Sequence, residues 1–81
     1  MKLPRNVNGD ELARLLGKYG YKTTRQTGSH MRLTSSAKGA EHHITIPRHS
    51  PVKVGTMSGI LKDVASYLKM TYQQLVDDLF Q

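Results

Sequence analysis

The sequence predicts an α+β fold: one helix, three antiparallel strands, then two more helices. Three observations predict it. Leu12, Leu15, Leu16 and Tyr19 recur at helical spacing near the start of the chain. Two later stretches, residues 30–34 and 43–46, alternate apolar with polar side chains, the period of a half-buried strand. Met57, Ile60, Leu61, Val64 and Leu68 then return to the helical period. Two helices laid on one face of a small sheet leave its other face open.

Eighty-one residues are read as one domain, 1–81. A chain this short buries only about 60% of its unfolded surface, so the core must be small. There is no cysteine, hence no disulfide and no thiolate chemistry. No apolar run is long enough for a membrane span and no secretory pattern opens the chain, which predicts a cytoplasmic protein.

The elements follow in order. Residues 1–7 have no period and contain Pro4, so they read as an N-terminal arm. Asn8 is placed to cap the first helix, with Glu11 as its reciprocal partner. Gly17 weakens that helix and Gly20 stops it. The threonine-rich run Tyr21–Gln26 suits a first strand, with Thr27-Gly28 as the turn. A two-residue loop there pairs Gln26 with Ser29 and Arg25 with His30. The second strand starts at His30. Alternation sends Met31 and Leu33 to the core and His30, Arg32 and Thr34 to the open face. Ser35 to Ala40 is small and polar and reads as a loop. Glu41 to Pro47 is the third strand, with Ile44 and Ile46 inward and His43 and Thr45 on the face of His30. A loop with His49 and Pro51 leads to Thr56, which can cap the second helix. Thr71 with Gln74 repeats the capping pattern for a short C-terminal helix over 71–80. Asp77 and Asp78 lie at its carboxyl end, where the helix dipole disfavours them and a basic neighbour is expected.

Charge concentrates the search for a site. Residues 1–40 hold eight basic side chains against two acidic ones; residues 41–81 hold four against four. The whole excess of +6 therefore lies in the first half. Such an excess favours polyanions. Two classes of chemistry find little support. His42 and His43 are neighbours on a strand and point to opposite faces, with no ligand-spaced carboxylates, so no metal site is expected. A serine triad fails because Ser29 and His30, adjacent on a strand, diverge. Cleavage of RNA needs less. RNA supplies its own 2′-hydroxyl nucleophile, histidine can move the proton, and cations can hold the phosphate. His30 is the candidate catalytic residue. Lys22, Arg25, Gly28, Ser29 and Arg32 are the candidate substrate-binding residues, and no cofactor is required.

The linear pattern adds a resemblance. Gly20-Tyr21 followed by Arg25-Gln26-Thr27-Gly28-Ser29-His30 resembles the signature of the HicA toxin family. So do Ile44-Thr45-Ile46-Pro47-Arg48-His49 and Gly55-Thr56-Met57 leading into Ile60-Leu61. The motifs cover nearly the whole chain in the right order. Met57 stands where leucine is common, and an arm precedes the first helix. The resemblance implies a fold like the double-stranded-RNA-binding domain and a toxin that cleaves messenger RNA. It implies that His30 is the catalytic histidine and that a HicB-type antitoxin covers it. The toxin is expected to be monomeric apart from that complex and to touch no membrane. Two other classes compete: a non-catalytic RNA-binding module of the same fold, and a basic protein whose ligand is an acidic protein.

Overall fold

The computed structural model describes residues 3–48 and 51–81. Helix α1 (Gly9–Leu16) runs into a 3₁₀ turn over Gly17–Tyr19. Strands β1 (Lys22–Thr27), β2 (His30–Lys38) and β3 (Ala40–Pro47) follow, then α2 (Val54–Leu68) and α3 (Tyr72–Phe80). The strands form one antiparallel sheet in the order β1-β2-β3. This is the helix–sheet–helix arrangement of the double-stranded-RNA-binding domain, with α3 added. No helix among the described residues is long and apolar enough to cross a membrane.

The apolar stripes do what their spacing predicts. Leu12 and Leu16 from α1, Met57, Leu61 and Val64 from α2, and Leu75 and Val76 from α3 are buried against Leu33 and Ile46 of the sheet. Leu15, Tyr19 and Ile60 are only partly buried at the margin of that core. Asn8 Oδ1 accepts from Glu11 N–H at 2.8 Å, but the Glu11 carboxylate returns no bond to Asn8. Gly17 is where α-helix tightens to 3₁₀, and Gly20 ends the turn at φ 85°. Thr71 and Gln74 form the full reciprocal cap of α3.

Several local expectations are corrected. The segment 35–40 is not a loop, because β2 runs on to Lys38 and β3 begins at Ala40, with Gly39 alone turning the chain at φ 94°. Tertiary contacts hold it extended. The Tyr67 hydroxyl of α2 accepts from Lys38 N–H at 3.0 Å and lies within bonding distance of the Ala40 and Ser35 carbonyls. The buried Ser35 hydroxyl donates to the Tyr19 carbonyl at 2.9 Å. Thr56 does not cap α2. The helix starts two residues earlier, after Lys53, whose carbonyl accepts from Met57 N–H at 2.8 Å. The arm is not wholly peripheral either: Val7 is buried, and its carbonyl accepts from Val52 N–H at 2.8 Å. Met1, Lys2, His49 and Ser50 lie outside the described residues.

The acidic end of α3 has its basic neighbour. Lys18 Nζ lies 2.7 Å from Asp78 Oδ1, and the Tyr19 hydroxyl donates to Asp78 Oδ2. Asp77 accepts from Gln73 Nε2 one turn back. The bonds from Lys18 and Tyr19 hold the Asp78 carboxyl below its ordinary range. Burial first, then donation to Asp78 and its charge, push Tyr19 up to about 12. The signs follow from linkage. A depressed carboxyl adds stability that is present above its unfolded value and lost as pH falls through its folded one. A raised phenol adds stability that is present below its unfolded value, near 10, and lost as pH rises toward about 12. Asp78→Asn should therefore melt below wild type at neutral pH, by an amount that salt reduces. The gap in Tm should close on acidification; a gap constant from pH 7 to 2 would mean that Asp78 acts through packing alone.

Candidate functional site

Helices cover one face of the sheet, and the other face presents three cross-strand rows. The turn between β1 and β2 sets the first. Gly28 takes φ 50° at the first central position, and Ser29 is the second. Thr27 therefore belongs to the strand and pairs with His30. The expected register, Arg25 opposite His30, is displaced because Gly28-Ser29, not Thr27-Gly28, forms the loop. The Ser29 carbonyl accepts from Arg48 N–H at 2.7 Å, which fastens the turn to the end of β3. Being in the turn, Ser29 does not diverge from His30, and its Oγ lies 3.2 Å from His30 Nδ1. His30 is exposed, between Thr27 on one side and Pro47 on the other.

The second row holds Arg25, Arg32 and Thr45. Two arginines directly opposite each other repel, an arrangement that costs stability unless an anion lies between them. Neither they nor Lys22 form an ion pair among the described residues. A bulge between Thr23 and Arg25 changes the register, so Thr24 joins Arg25 on the open face. The third row holds Lys22, Thr34 and His43. It lies four residues of β2 from His30, about 13 Å at strand rise. The structure thus brings Arg25 and Arg32 close to Gly28-Ser29-His30 and leaves Lys22 at the far end of the same face.

The adjacent histidines have opposite fates. His42 faces inward and stacks on Tyr67 with ring centroids 4.7 Å apart. Burial first, then Tyr67 and Asp63, push the Tyr21 hydroxyl up, so it stays a donor, and it sits 2.7 Å from His42 Nδ1. That leaves Nε2–H for Asp63 Oδ1 at 3.1 Å. Both nitrogens of His42 are occupied, and its place is structural. His43 faces outward beside Thr34. No three His, Cys, Asp or Glu side chains gather as a metal-ligating group among the described residues.

Comparison with known families bears on the chain as a whole. The family model described as HicA toxin of bacterial toxin-antitoxin matches residues 9–65. The chain belongs to the HicA toxin family. Neither curated proteins nor solved structures give a significant match. The HicA match spans α1, all three strands and most of α2, and so includes every row of the open face.

Sequence reasoning left two parts of this HicA face unassigned. Arg48 stood in a motif but received no role, although its backbone holds the His30 turn. Its Nε is buried without a hydrogen bond, 3.4 Å from Asp10 Oδ1 at a geometry that makes an ion pair only. Thr24, Thr34, Glu41 and His43 were also unassigned, yet with Arg25 and Arg32 they line one shallow pocket. The signal for His43 was its alternation partner: outward residues of paired strands share a face.

Proposed function

We propose that this protein is the toxin of a toxin–antitoxin pair and an endoribonuclease that cleaves messenger RNA in the cytoplasm without a metal. The observation that carries the reading is an exposed histidine at a fixed turn, one row from two arginines that form no ion pair among the described residues, in a chain of the HicA toxin family. His30 takes the proton of the RNA 2′-hydroxyl as that oxygen bonds to phosphorus; the bond to the 5′-oxygen breaks and that leaving oxygen takes a proton from water. Ser29 orients the ring from Nδ1. Gly28 supplies the tight turn that sets Ser29 beside His30 at the end of the sheet. Arg25 and Arg32 hold phosphate as charge builds on it, and Lys22 meets the strand farther along. The element order shared with RNA-binding domains favours a second reading, a module that binds RNA without cutting it.

One experiment separates the two. Purified protein is mixed in excess with a long single-stranded RNA and a chelator. Cleavage is expected to proceed, because the residues that would do the work need no cation. Binding without cleavage would select the module; activity that returned only with a divalent cation would remove the metal-free mechanism. The arginines have their own measurement. Arg25→Ala and Arg32→Ala should each lower the slope of log affinity against log salt by roughly 0.7, the value for one lost phosphate contact on a single strand. Slopes equal to wild type would mean that neither side chain touches the backbone.

The same face is the proposed seat of a HicB-type antitoxin. Its occupant must offer acidic groups to Arg25 and Arg32 and cover His30, so inhibitor and RNA compete. Charge complementarity makes the encounter fast and salt-sensitive. A specific interface of at least about 1,000 Å² then holds the complex.

A further inference from the structure

We propose that the pocket of the third row is a second phosphate subsite, occupied by a substrate phosphate away from the one cleaved at His30, with His43 as its donor. The proposal rests on the RNA-cleaving reading above and deepens it. The pocket measures about 350 Å³ and is lined by Thr24, Arg25, Arg32, Thr34, Glu41 and His43. Its histidine is held, not loose. His43 Nδ1 lies 2.8 Å from Thr34 Oγ1, which lies 2.9 Å from Thr24 Oγ1. Thr24 donates to the Arg32 carbonyl at 3.3 Å. Each hydroxyl has one proton to give. With that of Thr24 spent on the carbonyl, Thr34 donates to Thr24, and His43 Nδ1–H donates to Thr34. The chain of hydroxyls fixes the ring through Nδ1–H, and Nε2 donates to a phosphate as the second N–H of the imidazolium, the form in which both ring nitrogens are donors. Glu41 Oε1 stands 3.6 Å from Nε2, beyond hydrogen-bond range, on a side chain 66% exposed. It can leave for solvent when an anion arrives. Both arginines border the pocket and lack ion-pair partners among the described residues.

The spacing excludes a simpler role. About 13 Å along the strand separates the rows of His30 and His43, too far for both rings to serve one phosphate. Neighbouring rows lie about 7 Å apart, two residues of strand, which is on the order of one nucleotide step. The three rows therefore suit successive phosphates of an extended single strand, the scissile one at His30 and another at His43.

The test uses dodecamers with one cleavable ribonucleotide, the rest being 2′-O-methyl, and with single phosphates neutralised as methylphosphonates. His43→Ala should raise KM about tenfold on the fully charged dodecamer, the effect of a lost hydrogen bond to a charged group, with kcat unchanged. Thr34→Val, which frees the ring without removing it, should give a smaller rise. A methylphosphonate two steps from the cut should raise KM for wild type and add nothing for His43→Ala. An all-2′-O-methyl dodecamer, which offers no 2′-hydroxyl, reads the same loss as a tenfold weaker Kd. Dependence of Kd on His43 with no cleavage of any RNA would keep the subsite and remove the nuclease reading. Unchanged KM and Kd in folded His43→Ala, a fall in kcat alone, or a loss of affinity confined to an acidic protein partner would each overturn the subsite.

Discussion

His30→Ala is expected to lower RNA cleavage by ~10²–10⁴-fold, the usual contribution of a positioned acid or base, and to abolish toxicity in cells. The fold should not change. His30 is exposed at the first position of β2, outside the core, and its ring meets Ser29 Oγ through Nδ1. Surface substitutions of this kind shift stability by about 0.5 kcal/mol or less. Single-turnover cleavage and a thermal melt on the same preparation measure both halves. A folded His30→Ala protein that cut RNA at the wild-type rate would move the chemistry elsewhere on the face. Ser29→Ala should cost much less, because it releases the ring from Nδ1 but leaves the ring in place.

Gly9→Ala is expected to destabilise the protein by about 3 kcal/mol or more, at or beyond the upper end of overpacking costs. A Cβ at Gly9 would lie 1.8 Å from the Pro47 carbonyl oxygen and 2.9 Å from Arg48 Cα. These are backbone atoms, which cannot rotate away as a side-chain tip can. The N-terminus of α1 rests directly on the end of β3, and the same stretch of β3 fastens the His30 turn through Arg48 N–H. A shift there would lower activity as well as stability. Gly59→Ala is the control. Gly59 lies inside α2 with nothing within 4 Å of a Cβ, so alanine should add roughly 0.5–1 kcal/mol by helix propensity. Urea midpoints for the two variants should move in opposite directions. Equal, small shifts would mean that α1 can retreat from β3 without penalty.

The open face was legible because alternation is a local property. A residue's side of a strand follows from counting by two, so His30 and Arg32 could be put on one face with His43 and Thr45 from the sequence alone. The helix stripes and the caps at Asn8 and Thr71 were legible for the same reason, since their partners lie within a few residues.

What lay beyond the sequence depended on partners far along the chain. The Arg25–Arg32 pairing required knowing that Gly28-Ser29 is the turn and that Thr24 is bulged. The continuation of β2 to Lys38, across a register shift after Ser35, is supported by Tyr67, almost thirty residues away, and composition alone reads that segment as a loop. Gly9 looked like an ordinary first helical residue until Pro47 stood against it. Asp78 lacked a partner until α3 packed beside Lys18 and Tyr19. His42 and His43 are the same residue type one position apart. Alternation decided that they part, but only the packing of α2 made one a clamped neighbour of Tyr21, Tyr67 and Asp63 and left the other facing solvent between Thr34 and Glu41. Periodicity records which way a side chain points, whereas what it meets there is set by contacts that close only when the chain folds.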